Sequence, residues 1–228
     1  MIGQFTRIAI YDLDRTVTFR PTYSLFLLQS ALRIAPARLL LAPLASVAML
    51  AHGLNLFSRD RLKTMMWALL LGRVEMNRLQ AAIDDFVSRT LRSNIRPGAP
   101  AQIARDRDDG AMLVLATAAH ELYAKPIAAA LGFDAVVATT ALVDTDGRVG
   151  PALAAANVYG FSKLAALCRF LQESSVDRRR ISLSFYSDSS SDRPVFEWVD
   201  EPVAVNPSRK LARLASEKGW TIQNWGRP

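Results

Sequence analysis

Residues 11–18 read YDLDRTVT and follow directly on the apolar run FTRIAI at positions 5–10. The apolar run predicts a buried β-strand. It leads into two aspartates, Asp12 and Asp14, with Thr16 close behind. Carboxylates so close together repel each other, and burial makes their ionisation still more costly. A bound cation or a chemical reaction normally explains such a pair, so the rest of the chain is expected to supply its partners.

The composition is that of one sizeable domain with a hydrophobic core. Of the 228 residues, 50% are hydrophobic and 21% are charged, which is enough to bury a proper core. The single cysteine, Cys168, excludes an internal disulfide framework and a cysteine-rich zinc site, and it fits a reducing compartment. The first residues, MIGQFTR, lack the features of a secretory signal, so we expect a cytoplasmic protein.

The charge of the chain favours anionic partners. The formal net charge is +7, and a positive field attracts phosphates, nucleic acids or acidic lipid surfaces. The sequence has no zinc-finger spacing and no basic stretch interleaved with aromatic residues, and the run DRRR at 177–180 is typical of a solvated turn. We therefore expect no nucleic-acid partner.

The order of predicted elements indicates an α/β fold with an insertion. From residue 93 onward strands and helices alternate, which predicts a doubly wound parallel sheet with helices on both faces, and the first strand belongs to the same sheet. Residues 20–92 read instead as helices. We therefore predict a core made of 1–19 and 93–228, with an inserted all-helical cap over 20–92. The predicted helix breaks are at Pro36, Pro43 and Gly53.

Polar residues also stand at the ends of other predicted elements. In open α/β sheets, ligands bind at the carboxyl ends of the strands. Strand AMLVLAT (111–117) ends in a threonine and strand ISLSFYSD (181–188) in an aspartate, with a lysine near the start of the helix between them. We expect these side chains to meet Asp12 and Asp14 and to form a hard-oxygen site for Mg²⁺ beside a phosphate cradle. The residues in question are Thr117, Lys163, Asp188 and Asp192.

Four motifs carry a family resemblance. DLDRT (12–16), LVLATAA (113–119), GFSKL (160–164) and SDSSSD (187–192) resemble, in this order, the four motifs of haloacid dehalogenase-like phosphatases. The helical block resembles the cap of the phosphoserine-phosphatase-like subgroup, subfamily IB. YDLDRTVTFRPTY and FYSDSSSDRPVFEWVDEPVAVNP are most similar to its CicA-like and phosphatidylglycerophosphatase C-like branch. The resemblance implies a Rossmann-like core.

The resemblance also implies catalytic roles. Asp12 is expected to be the nucleophile that forms an aspartyl-phosphate, and Asp14 the general acid and base. Asp12, Asp188 and the backbone carbonyl of Asp14 are expected to bind Mg²⁺. Thr117 and Lys163 are expected to bind the phosphoryl oxygens. In supporting positions behind them, the resemblance implies Asp192 and Thr16.

The substrate prediction depends on the segment after the first motif. Phosphoserine phosphatases carry an acidic residue there, whereas VTFRPTY offers Arg20 and no acid. We therefore expect Arg20 to bind substrate, and the substrate to be an acidic or amphiphilic phosphate monoester such as phosphatidylglycerophosphate. Open alternatives are a small soluble metabolite of the histidinol phosphate or phosphoserine type, phosphotransfer to an alcohol, and an inactive scaffold or phospho-receiver. The sequence does not specify an oligomeric state.

Residues 39–57 form a long uncharged segment of the predicted cap. Its length approaches the roughly 20 residues needed to cross a bilayer. A single crossing would separate Asp12 from Thr117, Lys163 and Asp188, so it is excluded if these residues form one site. Two alternatives stay open: packing inside the cap or a dimer, or peripheral contact with an anionic membrane, at its inner face in a cytoplasmic protein. The basic residues expected near lipid head groups are Arg33, Arg38, Arg59, Arg61 and Lys63.

Three other polar residues are expected to have structural roles. Asp144 and Asp146, in VDTDGRV, are typical of a hairpin turn, and we assign them no chemistry. His120 is expected at the start of a helix.

Overall fold

Strand β1 (Arg7–Tyr11) lies inside a six-stranded sheet whose neighbouring strands are all parallel. The structure is a computed structural model that describes residues 6–226. The expectations for the terminus MIGQFTR and for a strand start at Phe5 fall largely on residues 1–5, outside this range. The other strands are β2 Val74–Glu75, β3 Met112–His120, β4 Ala135–Thr139, β5 Ala141–Val143, β6 Arg148–Leu153, β7 Ser182–Ser187, β8 Glu201–Val205 and β9 Thr221–Gln223.

Helices cover the sheet on both faces and fill most of the inserted block. The helices are α1 Thr22–Ile34, α2 Ala42–Gly53, α3 Arg59–Leu70, α4 Met76–Ser93, α5 Gly98–Asp108, α6 Glu121–Leu131, α7 Phe161–Glu173, α8 Arg193–Phe196 and α9 Arg209–Lys218. A 3₁₀ turn, Pro36–Leu41, leads into α2. Pro36 and Gly53 therefore interrupt the helical block as predicted, whereas Pro43 lies in the first turn of α2, where no backbone N–H donor is needed.

The main sheet has the order β4-β3-β1-β7-β8-β9. This confirms the predicted parallel α/β core that includes the first strand, and it places that strand in the interior of the sheet. Strand β9 was not predicted: with three residues it is too short to show a strand pattern in sequence. Because β3, β1 and β7 are adjacent and parallel, their carboxyl ends lie side by side at one edge of the sheet.

A second, three-stranded antiparallel sheet has the order β2-β6-β5. Strands β5 and β6 form a hairpin whose turn is closed by a bond from the Gly147 N–H to the Asp144 carbonyl, which confirms the predicted turn. Val74 pairs with Val149 and Glu75 with Arg148. The block 20–92 thus departs from an all-helical one at Val74–Glu75, because these two residues find a partner strand beyond residue 140 that local periodicity does not reveal.

The core consists of two clusters, one on each face of the main sheet. Ala9 and Tyr11 of β1 belong to one, and Ile8 and Ile10 to the other, so the strand is buried on both sides as expected in a parallel sheet.

The first cluster continues into the helical block. The rings of Phe26 (α1), Phe86 (α4) and Tyr123 (α6) lie 4.7–5.3 Å apart, and all three are buried. Trp67 of α3 joins them against Phe26. The helices of the block are therefore held over the sheet by aromatic packing, which fixes the cavity between them.

Candidate active site

A sharp turn follows β1 and places its carboxylates. Asp12 comes directly after Tyr11, and its N–H donates to the Tyr186 carbonyl of β7 at 2.9 Å. Arg15 takes a left-handed backbone conformation with φ of 64°, which reverses the chain after Asp14. The Asp14 carboxylate then accepts two hydrogen bonds of 2.7 Å from the backbone N–H and the hydroxyl of Thr22, at the start of α1.

A buried lysine joins the first and last motifs. Lys163, near the N-terminus of α7, donates from Nζ to Asp12 Oδ1 at 2.9 Å and to Asp192 Oδ2 at 2.8 Å. Asp192 Oδ2 also accepts from the Ser187 hydroxyl at 2.7 Å. The Lys163 side chain is only 2% exposed. Burial alone would lower the pKa of Lys163, but the carboxylates of Asp12 and Asp192 raise it above its ordinary value, so the lysine is charged.

Thr16 connects Asp12 with Asp188. Its hydroxyl oxygen lies 3.4 Å from Asp12 Oδ2 and 3.4 Å from Asp188 Oδ1, and it accepts from the Asp188 N–H at 3.0 Å. The two carboxylate oxygens are therefore separated by no more than twice 3.4 Å. Residues 176 positions apart in the chain thus converge as the motif order predicts.

The carboxylates repel each other strongly. Burial raises the pKa of Asp12 to about 7, with Lys163 opposing this shift and Asp192 and Asp188 adding to it. Burial and the charge of Asp192 raise the pKa of Asp188 to about 6. When the carboxyl groups of Asp12, Asp188 and Asp192 are ionised and Lys163 is protonated, the four side chains have a net charge of −2. One divalent cation would neutralise this charge.

The donor set fits Mg²⁺ rather than a metal held entirely by side chains. Among residues 6–226, no three His, Cys, Asp or Glu side chains converge as a ligand group. The carboxylates of Asp12 and Asp188 could hold Mg²⁺, which usually takes one or two carboxylates together with water and substrate oxygens. Asp192 Oδ1, buried in the same cavity, has no hydrogen-bond partner within the described chain.

Thr117 stands at the neighbouring strand and is fully buried. Its hydroxyl oxygen accepts from the Ala119 N–H at 3.0 Å, which holds the side chain at the cavity wall. The predicted residues Asp12, Asp14, Thr117, Lys163, Asp188 and Asp192 all line this one cavity, which has a volume of about 320 Å³. Thr16 lies just behind the wall.

The helical block forms the opposite wall. Apolar side chains from three of its helices face the carboxylates, together with basic groups. This wall is made of Tyr23, Met49, Arg59, Leu62, Lys63 and Met66. The cavity therefore has charged side chains on the side of the sheet, and apolar and basic side chains on the side of the helical block.

Arg20 lies outside this cavity, which corrects its predicted place in the substrate site. Its side chain is exposed, and its backbone is held by Asn94, which accepts from the Arg20 N–H and donates to the Arg20 carbonyl. The turn after Asp14 is what directs the chain away, so that Pro21 rather than Arg20 faces the cavity. Besides Lys163, the basic residues that line the cavity are Arg15, Arg59 and Lys63.

Lys63 is a second residue whose predicted position was wrong. We expected it near lipid head groups, but it is 7% exposed and donates from Nζ to the Ala118 carbonyl and, at 2.8 Å, to Asn157 Oδ1. Burial lowers the pKa of Lys63 to about 8, and Asp14 opposes the shift. The spacing of Lys63 with Met66, Trp67 and Leu70 is that of one buried helix face and could have revealed this.

A family model for haloacid dehalogenase-like hydrolases matches residues 9–197. The chain belongs to this family. The match spans all four motifs and the helical block, so the family assignment made from the motifs is confirmed. The more specific assignment to the CicA-like and phosphatidylglycerophosphatase C-like branch stays a prediction.

Curated relatives of this haloacid dehalogenase-like hydrolase carry different names. The inhibition of morphological differentiation protein of Streptomyces azureus is 31% identical over 227 residues, covering 96% of this chain and 79% of the relative. A histidinol-phosphatase of Neisseria meningitidis serogroup C (strain 8013) is 26% identical over 156 residues, covering 68% and 70%.

Solved structures share the fold. A protein of unknown function from Bordetella pertussis Tohama I superposes with a TM-score of 0.89 at 23% identity, covering 98% of this chain and all of the other. A phospho-aspartyl intermediate analogue of phosphoserine phosphatase gives a TM-score of 0.68 at 14% identity, covering 98% and 95%. At these identities, the likeness concerns the fold.

Proposed function

We propose that the chain is a Mg²⁺-dependent phosphomonoesterase that acts through an aspartyl-phosphate at Asp12. The observation that supports this most strongly is the buried arrangement in which Lys163 joins Asp12 to Asp192 while Thr16 joins Asp12 to Asp188. The relative named histidinol-phosphatase and the fold neighbour described as a phospho-aspartyl intermediate analogue support the same reaction class.

In this proposal the reaction has two displacements. An Asp12 carboxylate oxygen attacks phosphorus, the ester P–O bond breaks, and Asp14 donates a proton to the departing alkoxide. Water then gives its proton to Asp14 and attacks the same phosphorus. The bond between Asp12 and phosphorus breaks, and inorganic phosphate leaves. The two bonds from Thr22 hold the Asp14 carboxylate in a fixed position for both proton transfers.

The phosphoryl group would be bound by residues already aimed at the cavity. Lys163 and the hydroxyl of Thr117 would contact its oxygens, where charge redistributes during transfer. Asp12, Asp188 and the backbone carbonyl of Asp14 would hold Mg²⁺, which when bound shields the nucleophile from the charge of the phosphate. Thr16 would hold the carboxylates of Asp12 and Asp188 in position, and Asp192 would hold Lys163 in position.

Turnover of p-nitrophenyl phosphate with Mg²⁺ tests the proposal. The wild-type chain is expected to release phosphate, Asp12→Asn to lose this activity, and Asp146→Asn, in the exposed hairpin turn, to retain it. Chelation of the metal is expected to abolish turnover. A wild-type chain that stays inert over a broad panel of phosphate monoesters would favour an inactive scaffold or phospho-receiver instead.

We infer an acidic or amphiphilic phosphate monoester as substrate, such as phosphatidylglycerophosphate, for an enzyme working in the cytoplasm. Met49, Leu62 and Met66 suit an apolar portion of the substrate, whereas Arg59 and Lys63 suit a second anionic group. None of the residues of the helical block that line this cavity is acidic, so the ammonium group of phosphoserine would have no carboxylate partner on this wall.

A second candidate is histidinol phosphate, favoured by the Neisseria relative that bears this activity in its name. Comparing kcat/KM for histidinol phosphate, phosphoserine and short-chain phosphatidylglycerophosphate separates the candidates. Because Arg59 and Lys63 line the cavity, we expect the highest kcat/KM for short-chain phosphatidylglycerophosphate. A higher value for histidinol phosphate would replace the amphiphilic assignment while leaving the phosphatase assignment intact.

A further inference from the structure

Helix α2 is packed with two small side chains inward and its large apolar ones outward. In α2, Ala45 and Ala48 are 4% and 5% exposed, whereas Leu50 is 68% exposed. A helix of a protein surrounded only by water normally has the opposite pattern, with the large apolar residues inside. We call the outward set the apolar face; it consists of Leu40, Leu44, Val47, Leu50, Leu54 and Leu56, each at least 53% exposed.

The size of the apolar face indicates that it binds a partner. Single exposed leucines are ordinary, but a contiguous set of this kind marks an interaction site. Within the described chain, Pro36–Gly53 is the one helical stretch that is apolar and long enough to cross a membrane by length and composition. A crossing would put α1 and α3 on opposite sides, yet Phe26 and Trp67 of these helices pack against each other in the core.

Basic residues flank the apolar face along the chain. The sequence has no charged residue between Arg38 and Arg59, and both ends of this stretch are rich in arginine. We call these residues the arginine rim; it consists of Arg33, Arg38, Arg59 and Arg61.

A cavity of about 300 Å³ adjoins the rim at Arg38 and is lined by Arg73, Arg78, Arg148 and one acidic residue, Glu75. Arg148 pairs with Glu75 and Arg73 with Asp144, whereas Arg38 and Arg78 donate to backbone carbonyls.

We propose that the apolar face inserts shallowly into an anionic phospholipid surface, with the arginine rim among the head groups. An apolar surface flanked by arginine matches acyl chains below and lipid phosphates above. A second copy of this chain fits less well, because a two-fold contact places the same patch on both partners and brings like-charged rims together.

The docking would also orient the cavity of the candidate active site. Met49 lies in α2 beside the apolar face, and Arg59 belongs to the rim, yet both line the wall of that cavity. The cavity mouth would therefore open near the membrane surface. The docking itself depends on this surface alone and not on the phosphatase reaction.

Co-sedimentation with vesicles tests the proposal. The full chain is expected to bind phosphatidylcholine vesicles containing about 30% phosphatidylglycerol, and to bind pure phosphatidylcholine vesicles weakly. The triple variant Leu44→Ser, Val47→Ser, Leu50→Ser is expected to bind about 100-fold more weakly. The pair Leu142→Ser, Ile222→Ser removes exposed apolar side chains elsewhere and is expected to bind like wild type.

Two further measurements keep the result interpretable. Arg33→Gln with Arg61→Gln is expected to weaken binding to the anionic vesicles and to reduce its dependence on salt. Asp12→Asn is expected to bind vesicles like wild type, so that a failure of the reaction and a failure of docking are separable.

Three outcomes would overturn the proposal. The first is no binding to anionic vesicles by the wild-type chain. The second is binding that the triple variant leaves unchanged. The third is a dimer in lipid-free solution that light scattering shows to dissociate in the triple variant, which would assign the apolar face to a second copy.

Discussion

At the scale of single residues, Lys163 is expected to contribute to both stability and turnover. It is the cation between two buried carboxylates, and removing one partner of a buried ion pair leaves an uncompensated charge. Lys163→Met is therefore expected to lower the free energy of unfolding by about 3–5 kcal/mol and turnover by at least about 10²-fold. Urea denaturation and phosphate release measure the two effects.

The double variant Lys163→Met, Asp192→Asn provides the control. It removes one negative charge along with the lysine, so it is expected to regain part of the lost stability without regaining activity. If Lys163→Met alone unfolds at the same urea concentration as wild type, the ion pairs of Lys163 do not stabilise the fold.

His120 gives the fold a pH dependence of defined sign. It is 1% exposed and its ring lies 5.2 Å from that of Trp67, and burial, with a smaller contribution from Lys63, lowers the pKa of His120 from 6.5 to about 3. Below pH 6.5 the unfolded chain therefore binds a proton that the folded chain excludes. The stabilisation from neutral His120 is complete above about pH 6.5 and is lost as the pH falls toward 3.

Between pH 8 and pH 5, the free energy of unfolding of His120→Gln is expected to fall by about 2 kcal/mol less than that of wild type. Urea denaturation at both pH values gives this difference. The contributions of the carboxylates to the pH dependence cancel, because both proteins contain the same carboxylates. Parallel pH profiles for the two proteins would contradict the assignment of a buried neutral imidazole.

At the scale of secondary-structure elements, Lys63 connects α3 to the end of β3. Its two acceptors, the Ala118 carbonyl and Asn157 Oδ1, both lie within hydrogen-bond distance of the Thr139 hydroxyl, which has one proton and can donate to only one of them at a time. Lys63→Met leaves the other acceptor without a donor from this pair, so it is expected to lower the free energy of unfolding by about 1–3 kcal/mol. For an acidic substrate it is expected to raise KM about 10-fold with little change in kcat.

Lys125→Met is the matched control, because Lys125 lies on the exposed face of α6 and pairs, among residues 6–226, only with Glu121 at i−4. Both kinetic constants are expected to stay at the wild-type values. An unchanged KM in Lys63→Met would remove this lysine from the substrate site.

Gly160 sets the start of α7 and with it the position of Lys163. Its backbone angles, φ of 56° and ψ of −127°, are unfavourable for residues with a side chain, while a Cβ there would meet only Ser191 O at an ordinary 3.5 Å. Gly160→Ala is thus expected to cost about 1–3 kcal/mol through the backbone rather than through a clash.

Thermal unfolding measures this cost, and turnover is expected to fall with it as Lys163 shifts. Gly53→Ala, at a helix end with open space around it and no positive φ, is expected to leave stability unchanged or slightly raised. Equal effects of the two substitutions would contradict a conformational role for Gly160.

At the scale of the whole molecule, the sequence predicts whatever depends on local pattern and strand order. The apolar runs predicted β1, β3 and β7, and their polar ends predicted which residues meet, because parallel strands share one edge. The pairing of Val74–Glu75 with a hairpin more than 70 residues later was not predictable, since two residues carry no period.

Two side-chain positions differ from the predictions made from the sequence. Arg20 turns away from the cavity because Arg15 reverses the backbone in a left-handed conformation that no residue type announces. Lys63 is buried because its neighbours on α3 are, and a charged residue on an apolar face is ordinarily assigned to the surface.

The most direct test of the account is the location of a trapped phosphoryl group. During turnover of a ³²P-labelled monoester with Mg²⁺, acid quenching is expected to leave label on the protein, and peptide mapping to place it on Asp12 and not on Asp14 or Asp188. Asp12→Asn is expected to carry none. Steady turnover with no labelled protein at any time of quenching, or label on another residue, would contradict the central claim that Asp12 is the nucleophile.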